Sequence, residues 1–439
     1  MSQAHDALTE GQLLYRKMRA LGGDRLPPSY LFHIPQSGKT WVGASPSLLI
    51  RYSRRGFEVT SAGRQTTLTV AENPFQTLRK LIDPSRPCFF MVSLDMQRRS
   101  HDASLPLMVF IQPAVEVCFT RDAEGTGYEV SAGDRDSGQR VKALLEKTVD
   151  LGFERNSRTA ARLPSAWHTE SDDEFLKRVR SAVEALQSTP GKMIVTRSYN
   201  KIVGTDIDPF RLFEIYSKNE LGAAAAHFAS LDDRTFSLGC SPENVFELDH
   251  RRLSFDVVAS TRGISQDPDE DARWLQELLT DSKERKEHLM AFERYQSRLE
   301  GLCEAGSISQ EQLMGVRTLR RVRHLHSRLS GTLRPEIDFL DLLEDSYPPL
   351  SSYPSELVPL ADPDTEPLRY YGGIVGHAAP GGQEVSCFLN LRSALIKEAT
   401  LYTQGGVGVI ADSKPNHEVL EVANKLRSLL EAISDWERE

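Results

Sequence analysis

The sequence predicts a mixed α/β protein of the α+β kind, with strands joined mainly by hairpins and helices flanking the sheets. Three features predict it. Short apolar runs bounded by turn residues recur along both halves of the chain, a long helical tract covers about Glu270–Glu304, and an amphipathic helix closes the sequence. Strands and helices do not alternate in a regular β-α-β series, which argues against a doubly wound parallel sheet.

In order along the chain, Ser29–His33, Thr40–Ala44, Gly56–Ser61 and Leu107–Phe119 read as strands. The polar stretch Phe153–Ser165 reads as a connection, giving an N-terminal strand-rich portion (1–160) and a second unit (165–436). Ser171 opens a helix, with Glu174 at the capping-box position and Phe175, Val179, Ala182, Val183 and Leu186 as its apolar stripe. Pro190 and Gly191 introduce a strand at Met193–Thr196, and a helix at Phe210–Lys218 leads into strands near Ala223–Ser230, Thr235–Leu238, Val245–Leu248 and Leu253–Val258. The acidic run at 267–271 suits the start of the long helical tract, where the helix dipole favours negative charge. Strands return at Gly373–His377, Cys387–Ala394, Thr400–Gln404 and Val407–Ile410. Pro415 then starts a helix running to about Glu437. Its apolar arc holds Val419, Val422, Ala423, Leu426, Leu429, Leu430 and Ile433, with Glu418, Glu421 and Lys425 at the edge.

Composition narrows the function classes. The 439 residues are 39% hydrophobic and 26% charged, as in an ordinary soluble protein with a large core. A formal net charge of −9 argues against nucleic-acid binding, and the basic run Arg317–Arg328 lacks aromatics and reads as a solvated strand face. Five scattered cysteines without C-x-x-C suggest neither a zinc site nor a disulfide framework, so a reducing cytoplasm is expected. No signal-peptide h-region and no 18-residue apolar stretch are present, so no membrane span is expected.

The residues that point to chemistry begin with two glutamate pairs, Glu284/Glu287 and Glu418/Glu421. Each is spaced i, i+3, so both carboxylates of a pair leave one helix face, with Lys425 two turns beyond Glu418. A lone E-x-x-E is ordinarily a solvated face; four such carboxylates brought together need a divalent cation or a shared proton. All-oxygen ligands favour Mg2+ over zinc. Lys192, just before an apolar strand, either snorkels to solvent or is held neutral and deprotonates a water. Glu243 runs from a Ser-Pro turn into an apolar strand, where it either caps the turn or, with a raised pKa, serves as a general acid. His324, amid apolar neighbours, is of a kind usually satisfied within a core. Arg392 in an apolar strand demands an anionic partner, and carboxylate recognition is its natural work. The glycine run at Gln404–Ile410 lies between strands, which excludes Rossmann and P-loop readings, yet amides at Gly405 and Gly406 can hold a carboxylate.

The motifs GKMIVTR, CSPENV, VVASTRG, DSKERKEH, RHLHS, YYGGIVG, LNLRSA and GGVGVIADSKPNHEVLEVANKL, in this order over roughly 165–436, resemble those of the chorismate-utilising enzymes. These include the anthranilate synthase large chain and the aminodeoxychorismate, isochorismate and salicylate synthases. The resemblance implies large, mostly antiparallel sheets in a β-sandwich-like core flanked by helices, and a chorismate-binding catalytic domain at 165–436. It implies Lys192 as the base that activates water, since amine-adding members usually carry glutamine there, and members using a covalent lysine carry it where this chain has Ala259. Glu243 would protonate the departing C4 hydroxyl. Glu287 and Glu421 would bind Mg2+ directly, with Glu284 and Glu418 acting through metal-bound water. Tyr371, Arg392 and the Gly405–Gly406 backbone would clamp the pyruvyl carboxylate. Thr261, His324 and Lys425 would line the ring, with His324 among the catalytic side chains.

The expected reaction is conversion of chorismate to isochorismate, followed by pyruvate elimination to salicylate, as in siderophore synthesis. A monomer without an amidotransferase partner is expected; an amine-adding enzyme or a catalytically weakened chorismate-binding homologue are the alternatives. Three positions depart from the pattern: Ser260 replaces a glycine, His326 replaces another, and LSSYPSEL around Ser351–Leu357 replaces the Ser-Gly-x-Pro-Lys loop that helps close the pocket.

Overall fold

A computed structural model describes residues 6–22, 27–69, 73–97, 104–122, 125–147, 166–205, 207–220, 222–318, 322–350, 352–354, 357 and 370–439, apart from the side chains at 28 and 287. The connection expected at Phe153–Ser165 lies outside these residues. The first part of the chain supplies α1 (Ala7–Leu21), β1 (Pro28–Ile34), β2 (Lys39–Ser53), β3 (Gly56–Ser61), β4 (Arg64–Leu68), α2 (Pro74–Leu81), β5 (Cys88–Val92), β6 (Met108–Arg121), β7 (Thr126–Ala132) and α3 (Arg135–Glu146). The remainder begins with α4 (Asp172–Ser188), β8 (Met193–Ile202), α5 (Pro209–Asn219), β9 (Ala225–Asp232), β10 (Thr235–Ser241), β11 (Asn244–Asp249) and β12 (Arg252–Gly263). It continues with α6 (Pro268–Thr280), α7 (Ser282–Leu302), β13 (Ser309–Thr318), β14 (Val322–Thr332), α8 (Phe339–Asp345), β15 (Ile374–Ala378), β16 (Glu384–Leu389), β17 (Ser393–Lys397), β18 (Thr400–Val409) and a C-terminal helix (Pro415–Arg438).

Every ladder between these strands is antiparallel. One path runs from β2 through β1, β9, β10, β17 and β18 to β8. The other runs from β2 through β6, β5, β15, β16, β11, β12 and β14 to β13. β3 and β4 extend from β2, and β7 from β6. Strands from the first 160 residues therefore share hydrogen bonds with strands of the second unit, at β1–β9 and β5–β15. The mixed α/β class, with a large antiparallel sheet flanked by helices, is as the sequence predicts.

Local signals hold where they were specific. The Ser171–Glu174 capping box forms in both directions, and Phe175, Val179, Ala182 and Leu186 of α4 pack on Met193 and Val195 of β8 and on Val422 and Leu426 of the C-terminal helix. The long tract is broken, however: Asp281 ends α6 and caps α7, accepting hydrogen bonds from the Lys283 and Glu284 amides at 2.8 and 3.2 Å. Among the described residues, the first 160 hold three α-helices besides strands; α1 lies against β1, β2 and β6 and stacks Tyr15 on Phe210 of α5 at 4.1 Å. The described parts of the basic run lie on β13 and β14, which pair with each other, and among its described arginines Arg323 reaches Asp271 at 2.7 Å and Arg328 reaches Asp256 at 2.8 Å. All five cysteines are free, and no helix among the described residues is long and apolar enough to cross a membrane.

The largest apolar cluster joins β5, β6, β11, β12, β15 and α7, with Phe90 stacked on Phe110 at 5.6 Å. Phe90→Ala should cost about 3–5 kcal/mol of unfolding free energy through lost burial and the cavity left behind. Urea denaturation checks this, and a loss below about 1 kcal/mol would show that the site collapses to fill the gap.

Candidate active site

Where the far ends of the two strand paths approach each other, they enclose a cavity of ≈ 140 Å³, roofed by the C-terminal helix. β8 brings Lys192, the β10–β11 turn Glu243, β12 Thr261 and β14 His324 to its wall. Tyr371, Arg392, Gly405 and Gly406 close one end, and the C-terminal helix contributes Glu418, Glu421 and Lys425. Eleven of the thirteen side chains or glycines singled out in sequence thus line one hollow, which also takes in Lys283, Gln404 and Leu350. Glu284 does not line it, and the side chain of Glu287 lies outside the described residues, although α7 carries both.

The glycine-lined end is built on backbone. β17 pairs with β18 only as far as Thr403, so from Gln404 onward β18 keeps β8 on one edge and turns the other to the cavity. There the Gly406 carbonyl accepts from Lys425 Nζ at 3.1 Å, and its amide hydrogen-bonds Tyr371. A Cβ at Gly406 would stand 2.9 Å from the Tyr371 hydroxyl, so any other residue there would push that hydroxyl aside. Arg392, with φ 50°, has its carbonyl fixed by the Tyr216 hydroxyl at 3.1 Å and the Cys240 amide at 3.3 Å. The anionic partner it needs is Glu220, 3.5 Å away; Ser428 donates to the other oxygen of that carboxylate.

Arg392 also donates to His324 Nε2 at 3.3 Å, and since guanidinium has only donors, this nitrogen must be the acceptor. Nδ1 then carries the proton and donates to Thr261 Oγ1 at 3.0 Å. Burial, then the charges of Arg392 and Lys425, hold the His324 pKa well below its ordinary value. His324 is neutral and acts as an orienting link between Arg392 and Thr261.

Glu243 is partly exposed, but what it exposes faces the cavity and not bulk water. Burial raises its pKa to about 7, against the opposing pull of Lys192, Lys425 and Arg317. Lys192 is fixed from an unforeseen quarter. Its amide and carbonyl exchange hydrogen bonds with Tyr353, both at 2.9 Å, and Ser352 Oγ accepts from the Ile194 amide at 2.9 Å. The described part of the altered loop therefore seats the start of β8. Gly191 permits it, because a Cβ there would lie 2.1 Å from the Tyr353 carbonyl oxygen. Ser260, where a glycine was expected, sits at a β12 bulge with φ 63° and donates to the Glu284 carbonyl at 2.7 Å, tying β12 to α7. His326 lies 3.1 Å from the Asp256 carboxylate, outside the cavity wall.

The carboxylates are compensated by cations. Lys283 Nζ stands 3.7 Å from Glu284 and 3.7 Å from Glu418, both almost fully buried. Arg262 reaches Glu284 at 2.7 Å, and Lys425 reaches Glu421 at 2.8 Å. Carboxylates of two helices already converge on one positive group, and their all-oxygen donor set suits Mg2+. Among the described residues, the trio with ligand atoms within 4.8 Å of one another is Asp249 of β11, its cross-strand neighbour Glu384 of β16 and His250 in the turn after β11, all exposed and away from the cavity.

The chorismate binding enzyme model matches residues 58–431. The chain belongs to this family. Anthranilate synthase component 1 of Arthrobacter globiformis is 29% identical over 284 residues, 62% of this chain and 52% of that protein. The Aquifex aeolicus protein of the same name is 30% identical over 205 residues, 46% of this chain and 41% of that one. The chain thus spans about half the length of the curated relatives it matches. Among solved structures, anthranilate synthase component I from Streptococcus pneumoniae TIGR4 superposes with a TM-score of 0.73 at 20% identity, covering 90% of this chain and 93% of that one. The menaquinone-specific isochorismate synthase from Escherichia coli gives 0.68 at 16% identity, covering 98% and 92%. At these identities the likeness establishes the fold.

Glu220, Arg262, Lys283, Ser352 and Tyr353 were not foreseen as parts of the site, although Lys283 lies inside the motif that supplied Glu284. For Glu243, a folded-state pKa near 7 against an ordinary 4.5 means that the native state binds more protons between these values. Its contribution to stability is full below about pH 4.5 and is lost as pH rises towards 7. Glu243→Gln should remove that part of the stability–pH slope in denaturation series at pH 4.5 to 8; an unchanged slope would place the titration elsewhere.

Proposed function

We propose that this protein converts chorismate to isochorismate by adding water at C2 with loss of the C4 hydroxyl, and that pyruvate elimination to salicylate follows. The observation that carries the reading is Lys192 and Glu243 on the wall of one cavity, with a cationic, glycine-backed end beside them. Lys192 takes a proton from the attacking water while Glu243, kept protonated near neutrality by burial, gives one to the leaving hydroxyl. The ring double bonds shift between the two carbons. Tyr371, Arg392 and the Gly406 backbone hold the pyruvyl carboxylate, and neutral His324 keeps Arg392 and Thr261 in place. Glu284, Glu287, Glu418 and Glu421 would hold Mg2+, whose charge would polarise and orient the ring carboxylate. The elimination step asks for positioning and no new functional group.

A second reading rests on the relatives named above as anthranilate synthase component 1, and takes ammonia as the nucleophile. Incubation of the protein with chorismate and Mg2+, with and without chelator and ammonium salts, followed by chromatography, separates the two. Isochorismate or salicylate is expected with water alone; an aminated product formed only with ammonium would replace the first reading with the second. Glu243→Gln should abolish turnover with the fold intact, and Lys192→Gln should stop water addition. Surviving hydroxylated product from the latter would assign the base elsewhere.

Lys283 competes electrostatically with a metal for Glu284 and Glu418. Lys283→Met should therefore tighten Mg2+ binding about tenfold, as expected for one partly screened charge. Titration calorimetry without substrate reads this directly; weaker binding would mean that the lysine gathers the ligands and does not oppose the metal.

A further inference from the structure

Behind the carboxylate end of the cavity lies a smaller chamber of ≈ 20 Å³. Tyr371 and Gln404 line both spaces and form the partition between them. Among the described residues, the chamber wall has no charged side chain; it is built mainly of hydroxyls and amides, Ser198, Asn390 and Thr403 among them. Two of its amides carry atoms that the protein leaves unmatched. Neither Nδ2 nor Oδ1 of Asn390 has a hydrogen-bond partner, although the residue is only 1% exposed. Gln404 gives Nε2 to Ser198 Oγ at 2.7 Å, but its Oε1 has none.

A buried amide with both ends unpaired is strongly unfavourable, whereas leucine, of nearly the same shape, would carry no such penalty. The volume admits about one or two water molecules. A wall of neutral donors and acceptors suits a small uncharged guest and rejects an ion, which would lose its hydration without a counter-charge. The main chain of Asn390 bears on the same end of the site. It accepts from the Gly372 amide at 3.0 Å and donates to the Gly373 carbonyl at 2.8 Å, next to Tyr371, and it lies two residues before Arg392.

We propose that this chamber is a binding site for ordered water, held by Asn390 and Gln404, which steadies Tyr371 and Gln404 and extends the grip on the substrate carboxylate. Asn390 is then a positioning residue. The role in substrate binding rests on the chorismate reading of the main cavity; the water site itself does not.

The test compares crystal structures, chorismate affinity by calorimetry, and kcat against KM for the wild type, Asn390→Leu and Asn390→Ser. Water density within hydrogen-bond reach of Asn390 and Gln404 is expected in the wild type and is lost in Asn390→Leu. That variant should bind chorismate about three- to tenfold more weakly, with KM raised and kcat little changed. Asn390→Ser, which keeps a polar group and leaves room for water, should stay near wild type. A dry chamber in the wild type overturns the proposal, and so does an Asn390→Leu protein that melts higher and binds chorismate as tightly. Loss of affinity in Asn390→Ser equal to that in Asn390→Leu overturns it too, because packing would then explain both. If the wild-type protein binds no chorismate, the functional reading falls while the density still decides the water site.

Discussion

Charge balance among buried side chains around one cavity is the constraint on which the rest of the site depends. Glu284 and Glu418 are removed from water, and unpaired carboxylates there would be very costly. Lys283 stands between them, Arg262 backs one and Lys425 serves their neighbour Glu421. At the opposite end Arg392 is matched by Glu220. The same packing that makes these pairs necessary also raises Glu243 and holds His324 neutral. Protonation states, ion pairs and cavity shape are therefore consequences of a single act of burial.

Much of this was legible in sequence. Carboxylates at i, i+3 on two amphipathic helices, a lysine before a strand, and an arginine in an apolar strand each carry a local signature, and most of these residues reach the cavity wall. The hairpin-like connections were readable from the turn residues, and the antiparallel sheets were implied by the family resemblance. The Ser171–Glu174 box and the α4 stripe formed as written because nothing distant competes with them.

What escaped the sequence depends on contacts between remote segments. Glu220 ends a helix of ordinary composition, and only the fold brings it to Arg392, 172 residues later. Tyr353 sits in a loop that looked merely altered, and its ladder to Lys192 exists because Gly191 leaves space. Lys283 carries no signal of its own in the sequence; the C-terminal helix, far along the chain, makes it a shared counter-ion. The break at Asp281 was hidden by strong helical propensity on both sides, and capping prevailed over continuation.

The ladders β1–β9 and β5–β15 have a further consequence. Each joins residues nearly two hundred positions apart or more, so the sheet cannot be completed until distant parts of the polypeptide have met. Such topology slows assembly and leaves raw strand edges open meanwhile. Severing the chain between its halves would bare β9 and β15 for good, and these are the edges at which stray chains would dock and aggregate.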